Sequence, residues 1–494
     1  MTRENLKQNA FAQFGQNVAL VGLLIYVAFA PHSVAASSIG VALATIGWLL
    51  RIVATRRLGL SRSKFDLIIL VSFLWTVLSA VLSAEPQISI AKLKASWCVL
   101  LFYLARAIVT KKSALTLSAV LILTGCVGVA YSAIDLLRGR GVVVEELAVT
   151  SPLRKIDIRP GDTVWRIGRT RVYSIAEVDS AIKGTRNDQP LSVGVISRGE
   201  HVERILSPGW GVAQSVSGIT GSKRNHQFRA SGWTRHYETF AEVIQMIAQL
   251  SLGLALAHFS NHGGNKYFKI ALAATGLLIF GIAFTAMRTV LVAFAIGASV
   301  VAWRTLHGVP RLVFTAVLSL VIGFGAVVVW QTRADKALLL GDDSSSLRVE
   351  VARVGLSRIF VHPVFGHGMD AMKLHWTEWG FPGKDMLHLH STPLQLAFDR
   401  GLPMLGLWLW MMIAFWIHLA RSTKAASERG DTNVYGILLG TLAALTGFLA
   451  SSLVNYNYGD SEVAMLFWYS MGVATAIAGS KSQIEIVNRN RVND

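Results

Sequence analysis

Apolar residues run through this chain in long unbroken stretches rather than at alternating positions, and short polar joints separate the stretches. Runs long enough to cross a hydrocarbon layer of ~30 Å as helices begin near residues 17, 33, 65, 92, 113, 239, 270, 289, 312, 404, 434 and 462. A lipid-embedded backbone must satisfy its own hydrogen bonds, which favours helices for such runs. The expected fold is therefore an all-α polytopic membrane protein with about 12 transmembrane helices.

Two regions break this pattern. Between Gly141 and Pro208 the period shortens: Val142–Leu147, Thr163–Ile167, Leu191–Ile196 and His201–Leu206 alternate as strands do, and Ile175–Ile182 reads as a helix. Turns at Pro160-Gly161-Asp162 and Arg198-Gly199-Glu200 separate them, so a small α+β soluble domain is expected here. The second region, residues 331–403, is a long polar loop. Its stretch 346–372 reads as a helix of about four turns ended by His362-Pro363, then a turn punctuated by Gly366 and Gly368. Leu394 to Phe398 is a further short helix, broken by Gly401-Leu402-Pro403 before the next span. The expected organisation is membrane spans 1–5 in residues 1–137, the small domain in 138–210, spans 6–9 in 211–330, the polar loop in 331–403, and spans 10–12 with a tail in 404–494.

Composition agrees, with 52% hydrophobic and 15% charged residues and a mean hydropathy of +0.47. The net charge of +18 would suggest a nucleic-acid partner in a soluble protein, but in a membrane protein it is read loop by loop. Arg51, Arg56, Arg57, Arg62 and Lys64 stand together without an acid, and the joints holding Arg106/Lys111/Lys112, Lys266/Lys269, Arg304/Arg311 and Arg421/Lys424 also lean basic. All fall on one side of a twelve-span layout, so both termini are expected inside and residues 138–238 and 331–403 outside. No nucleic acid is implied. The start of the chain, with Val34-Ala35-Ala36 after an apolar run, passes for a cleavable signal, but a second apolar run follows at once. Cys98 and Cys126 both lie inside spans, which leaves no disulfide framework for the outer domains.

Titratable groups concentrate in residues 331–403, which hold eight Lys/Arg, eight Asp/Glu and five of the chain's thirteen histidines. The stretch His388-Leu389-His390-Ser391-Thr392-Pro393-Leu394-Gln395 closes this loop and is the expected centre of chemistry. A histidine titrating near neutrality suits proton transfer, so His390 is the candidate to activate or orient a hydroxyl. His388 would share its face in an extended segment and is a supporting candidate with Ser391. Arg288 stands at the edge of an apolar span, where a charge is costly unless it has a partner; the plain alternative is snorkelling to the interface. A metal site is the competing reading, since His388 and His390 with His375, His367 or Asp370 offer nitrogen and oxygen ligands.

Residues 151–182 resemble a bacterial PDZ domain, through Ser151-Pro152, Pro160-Gly161-Asp162 and the strand, turn and helix that follow; Ser197-Arg198-Gly199-Glu200 fits the last hairpin turn. The resemblance implies a domain that takes an extended peptide by strand addition, and so a protein partner. Arg138-Gly139-Arg140-Gly141-Val142-Val143 stands near the place of the carboxylate loop without its usual residues, so a spacer or docking role stays open.

The membrane part resembles the O-antigen ligase and Wzy-type polymerase superfamily. The carriers are Phe228-Arg229-Ala230-Ser231-Gly232, Thr285-Ala286-Met287-Arg288, Arg348, His362-Pro363-Val364-Phe365-Gly366-His367-Gly368 and His390-Ser391. The ligase pattern of His, then Asn, Ser or Gln, then Gly after nine more residues, is met by His390, Ser391 and Gly401; position 404 is Met, and Thr289 follows Arg288 where Gly is common, so both depart from it. The resemblance implies a GT-C-like membrane glycosyltransferase of the inner membrane, working on the periplasmic face in lipopolysaccharide or surface polysaccharide assembly. It further implies metal-independent, cofactor-free, inverting transfer of a glycan from polyprenyl diphosphate. On that reading Arg229, Arg288 and Arg348 bind the diphosphate, since guanidinium pairs bidentately with phosphate oxygens, and His390 serves the acceptor. Lipid A-core, another lipid-linked glycan or a protein Ser/Thr side chain all remain possible acceptors. A lipid-glycan transporter is the non-enzymatic alternative; against it, the spans are nearly free of charge. A scaffold built around the small domain is another.

Overall fold

The computed structural model describes residues 10–185, 188–197, 200–208, 217–220, 223–226, 228–234, 236–317, 320, 343–382 and 388–479. Eleven helices or composite helices among them are long and apolar enough to cross a membrane. The twelfth expected span, from residue 312, runs into residues outside this set. The eleven are α1 (Ala10–Phe29), α2 (Val34–Thr55), α3 (Lys64–Leu82), the segment Pro86–Ile108, α6 (Lys111–Arg138), α8 (Tyr237–His262), α9 (Lys266–Phe284), α10 (Arg288–Thr305), α13 (Thr392–Glu428), α14 (Thr432–Ser452) and α15 (Ser461–Ala478). The composite segment is α4 (Pro86–Lys92), a 3-10 stretch Leu93–Val99, and α5 (Leu100–Ile108).

The chain falls into two compact units. The first comprises Met1–Cys126, Ala241–Ile282 and Met287–Asp494. Small residues govern its helix contacts: a Cβ on Gly22 of α1 would lie 2.2 Å from the Ala44 backbone nitrogen of α2, and one on Gly253 of α8 2.1 Å from that of Gly440 of α14. Such close backbones maximise dispersion contact where lipid offers no hydrophobic gain. α8 is buried throughout its apolar window. It carries Glu242, Gln245 and Gln249 inside, with Gln245 Nε2 donating to Gln249 Oε1 at 2.6 Å. Two of the cations read as loop anchors are buried. Arg51 donates to Gln16 Oε1 (2.5 Å) and the Ala107 carbonyl (2.8 Å), and Arg106 pairs with Asp66.

The second unit is Val127–Phe240 with Ala283–Ala286. Three of the expected strands form as β3 (Thr163–Ile167), β5 (Leu191–Ser197) and β6 (Glu200–Leu206); the expected Val142–Leu147 is split into β1 (Val142–Val143) and β2 (Glu146–Leu147), β4 (Thr170–Arg171) and β7 (Ile219–Thr220) are additional, and α7 (Ile175–Lys183) lies between β4 and β5. The main sheet runs β1-β3-β5-β6, all antiparallel, with β4 on β3; β2 pairs with β7. Val178 and Ile182 of α7 pack on a core that includes Val164, Val193 and Val195. Arg140 is buried against Asp135, its Nε 2.9 Å from Oδ2, and lies over the rings of Trp165 and Phe228.

In the polar loop, α11 (Asp343–Ile359) and α12 (Met372–His375) surround a small core of Val351, Ile359, Met372, Trp376, Phe381, Leu389 and Phe398. The short helix expected from Leu394 begins at Thr392, and the expected break before the span is present: Gly401 has a non-helical backbone (φ 80°, ψ 168°) that separates the two helical parts of α13.

Candidate active site

The histidine loop is held by the residues around it. Leu389 is buried and fits against Gly355 of α11, where an added Cβ would meet its Cδ2 at 2.3 Å. The Leu389 N–H donates to Gln395 Oε1 (2.8 Å), and Gln395 Nε2 donates to Asp399 Oδ1 (2.8 Å). With Leu389 pointing inward, the flanking imidazoles of His388 and His390 come together, ring centroids 4.2 Å apart. The extended segment expected here does not form as such: His390 takes a left-handed conformation (φ 48°), and this turn, rather than strand alternation, pairs the rings. Left-handed backbone at a non-glycine residue is uncommon and stores strain.

His390 Nε2 is buried and has no hydrogen-bond partner among the described residues. Burial, then the neighbouring His388 and the positive Arg348, push its pKa down to about 3. Burial with Lys373 and Arg348 pushes His388 down to about 4, against a small opposing pull from Asp370. Both imidazoles are therefore neutral at physiological pH. Their shared response to Arg348 brings α11 into the same site.

Immediately after His390, Ser391 is the buried N-cap of α13, and Thr392 anchors the helix start. Its N–H donates to the Asn455 carbonyl (3.1 Å), and its hydroxyl donates to Asn457 Oδ1 (2.9 Å). Asn455 in turn donates from Nδ2 to Thr289 Oγ1 (3.3 Å) and Ser451 Oγ (3.0 Å), and Ser451 donates to Glu242 Oε1 (2.9 Å). One residue between α14 and α15 thus ties the start of α10, which carries Arg288, to the start of α13, which follows His390. Arg288 is exposed at the first position of α10. A cation is unfavourable at that end of a helix, whereas an anion there is stabilised by both the guanidinium and the free N–H groups.

The turn His362–Gly368 docks on α13 through backbone contacts. His367 and Gly368 donate to the Phe398 (2.8 Å) and Asp399 (3.1 Å) carbonyls, and Leu402 N donates to Pro363 O (2.8 Å). Gly401 lies under it: a Cβ there would fall 1.8 Å from Val364 O.

The remaining members of the competing metal set are engaged elsewhere. His367 Nε2 meets Arg358 O at 2.9 Å with its ring stacked on Phe398, His375 sits between Glu378 (2.7 Å) and Glu85 (2.8 Å), and Asp370 holds Lys92 and Lys373. Hydrogen bonds to Glu378 and then Glu85 raise the His375 pKa. Among the described residues no group of three or more His, Cys, Asp and Glu is placed to hold a metal. Arg229 belongs to the second unit, with its guanidinium 4.5 Å from the Tyr237 ring centroid. Asn455 and Asn457 were not among the sequence candidates, and Gln395 stood in the expected stretch without a role; the polar Asn455-Tyr456-Asn457 between two apolar spans was the available signal.

Eleven apolar helices, with neutral histidines and arginine gathered where a polar loop meets a helix start, define a multi-pass membrane protein with a candidate reaction site at a helix terminus. Residues 273–411 match the family model described as O-antigen ligase, a segment that includes Arg288, Arg348, His388, His390 and Ser391. The match supports the O-antigen ligase/Wzy family and, with it, a glycosyltransferase-type function in polysaccharide assembly. No match is found among the curated proteins.

Proposed function

We propose that the protein transfers a glycan from polyprenyl diphosphate to an acceptor on the periplasmic face of the inner membrane, as a metal-independent, inverting transferase of ligase or polymerase type. The observation that carries this reading is His390: a neutral imidazole whose Nε2 is buried and unpartnered, beside Arg348, two residues before the anchored start of α13. An acceptor hydroxyl supplies the partner that Nε2 lacks and gives up its proton there as its oxygen attacks the anomeric carbon. The C–O bond to the diphosphate breaks in the same displacement, and the leaving diphosphate takes up the negative charge. Arg288 and Arg348, both of the first unit, bind that charge, Arg288 with the help of the α10 terminus.

A basicity as low as that of His390 suits proton transfer poorly. Diphosphate bound at Arg348 offsets the smallest of the three causes of that shift, after burial and His388, so donor binding moves the His390 pKa upward. His388 and Ser391 support the imidazole. The α+β unit recruits a protein partner in this reading, on the strength of its resemblance to peptide-binding domains.

The purified chain, given a lipid-linked oligosaccharide from the same cell in excess chelator, tests this. Product on lipid A-core identifies a ligase, product on peptide a protein transferase, and longer lipid-linked chains without a second acceptor a polymerase. Activity lost in chelator and restored by one divalent ion contradicts the metal-free reading, and no product in any arm contradicts the transferase reading.

A further inference from the structure

In the second unit the outer side of β1 and β2 is already paired, and its partner is this chain. β1 is the end strand of the main sheet and is held on one side by β3. On its other side Ser217–Thr220 and Lys223–Asn225 pair antiparallel with the β1–β2 stretch. The Ala148 N–H donates to the Gly218 carbonyl (2.9 Å), that of Val143 to the Lys223 carbonyl (2.9 Å), and that of Arg140 to the Asn225 carbonyl (2.8 Å). Glu146 and Leu147 of β2 stand opposite Thr220 and Ile219 of β7.

α7 closes the other flank of this segment. The Ser217 N–H donates to Asp179 Oδ1 of α7 (2.7 Å), the Ser217 carbonyl accepts from the Ser151 hydroxyl (2.5 Å), and Ile219 is buried in the core that Val178 and Ile182 of α7 also enter. Gly218 fits because it is small: at φ 67° a Cβ there would lie 2.9 Å from that of Ala148 and 3.0 Å from that of Ser151. Backbone bonds to an edge strand and an aliphatic side chain sunk beside a helix are the means by which a sheet edge takes an added peptide.

Occupation by the chain itself has consequences for any outside ligand. A covered edge no longer offers its N–H and C=O groups to other chains. The covering segment is tethered, so it competes at an effective concentration on the order of millimolar, and an outside peptide making the same contacts is outcompeted. Its direction matters as well. Asn225 reaches Arg140, and the chain goes on to Phe228, so the edge holds a continuous stretch and not a free carboxyl terminus.

We propose that Ser217–Asn225 is the built-in ligand of this edge, and that a partner protein docks here only in exchange for it, through an extended internal stretch in which a small residue precedes an aliphatic one. The proposal deepens the recruiting role given to this unit and rests on it; its readout is peptide binding, in which glycan transfer plays no part. The test titrates the full-length chain in detergent with a fluorescent peptide of residues 215–226, made as free acid and as amide. The wild type is expected to bind it weakly, and Ile219→Asp, which buries a charge and so releases the internal strand, at least roughly tenfold more tightly. A peptide that itself carries Ile219→Asp is expected not to bind, and acid and amide are expected to bind alike. Binding by the Ile219→Asp chain no tighter than by the wild type overturns the proposal, as does equal binding of the altered peptide. Should that chain not fold, Gly218→Val, which drives the segment off Ala148 and Ser151, is read in the same way. An amide that binds much more weakly than the acid overturns the internal-stretch part and assigns the edge to carboxyl termini.

Discussion

His390 combines three properties that seldom coincide in a structural histidine: a strained backbone, a buried nitrogen without a partner, and a pKa pushed down to about 3. The sign of that shift sets a pH dependence. Because the folded value is depressed, the ring gains its proton only as pH falls toward about 3, and its lone pair is present throughout pH 5–8. In the proposed reaction kcat/KM, which reports the free enzyme, therefore shows no acid limb from His390 over pH 5–8, whereas kcat, which reports the loaded site, inflects at a higher pH. An acid limb in kcat/KM centred near the ordinary 6.5 contradicts this environment. The histidine itself was legible in the sequence, because a motif marks it; its environment was not. Leu389 reads as one more apolar residue; its burial against Gly355 and the left-handed turn at His390, which together pair the two imidazoles, have no local signature.

At the scale of elements, the glycines explain the spacing of the loop motif. Gly401 has a backbone conformation open essentially to glycine, and the Val364 carbonyl fills the place of its Cβ. Both causes are independent, so Gly401→Ala is expected to cost about 2 kcal/mol or more and to lower the melting temperature of the purified protein; an unchanged melting temperature contradicts the docking of the His362–Gly368 turn on α13. The helices and most strands were readable from periodicity, which follows from burial on one face or all round. The start of α13 was not. It lies at Thr392 rather than Leu394, because Pro393 falls in the first turn, where a missing N–H costs nothing, whereas the break expected at Gly401-Leu402-Pro403 is present as the non-helical Gly401. The Asn455 anchor was equally hidden, since joining Thr289 to Thr392 is a long-range contact that no local pattern encodes.

For the whole molecule, chemistry and partner recognition divide between the two units in the proposed account. Removing residues 141–208 is expected to leave transfer by the purified protein intact while abolishing it in cells; loss in both contradicts a recruiting role for the inserted strands. The central claim is that the segment matching the O-antigen ligase model transfers a glycan through His390, and it is tested most directly by comparing wild type with His390→Ala, both purified, on one lipid-linked oligosaccharide donor. The account predicts product from the wild type and at least a roughly 100-fold slower rate from the variant at an unchanged melting temperature. Equal rates, or no product from the wild type, would contradict it.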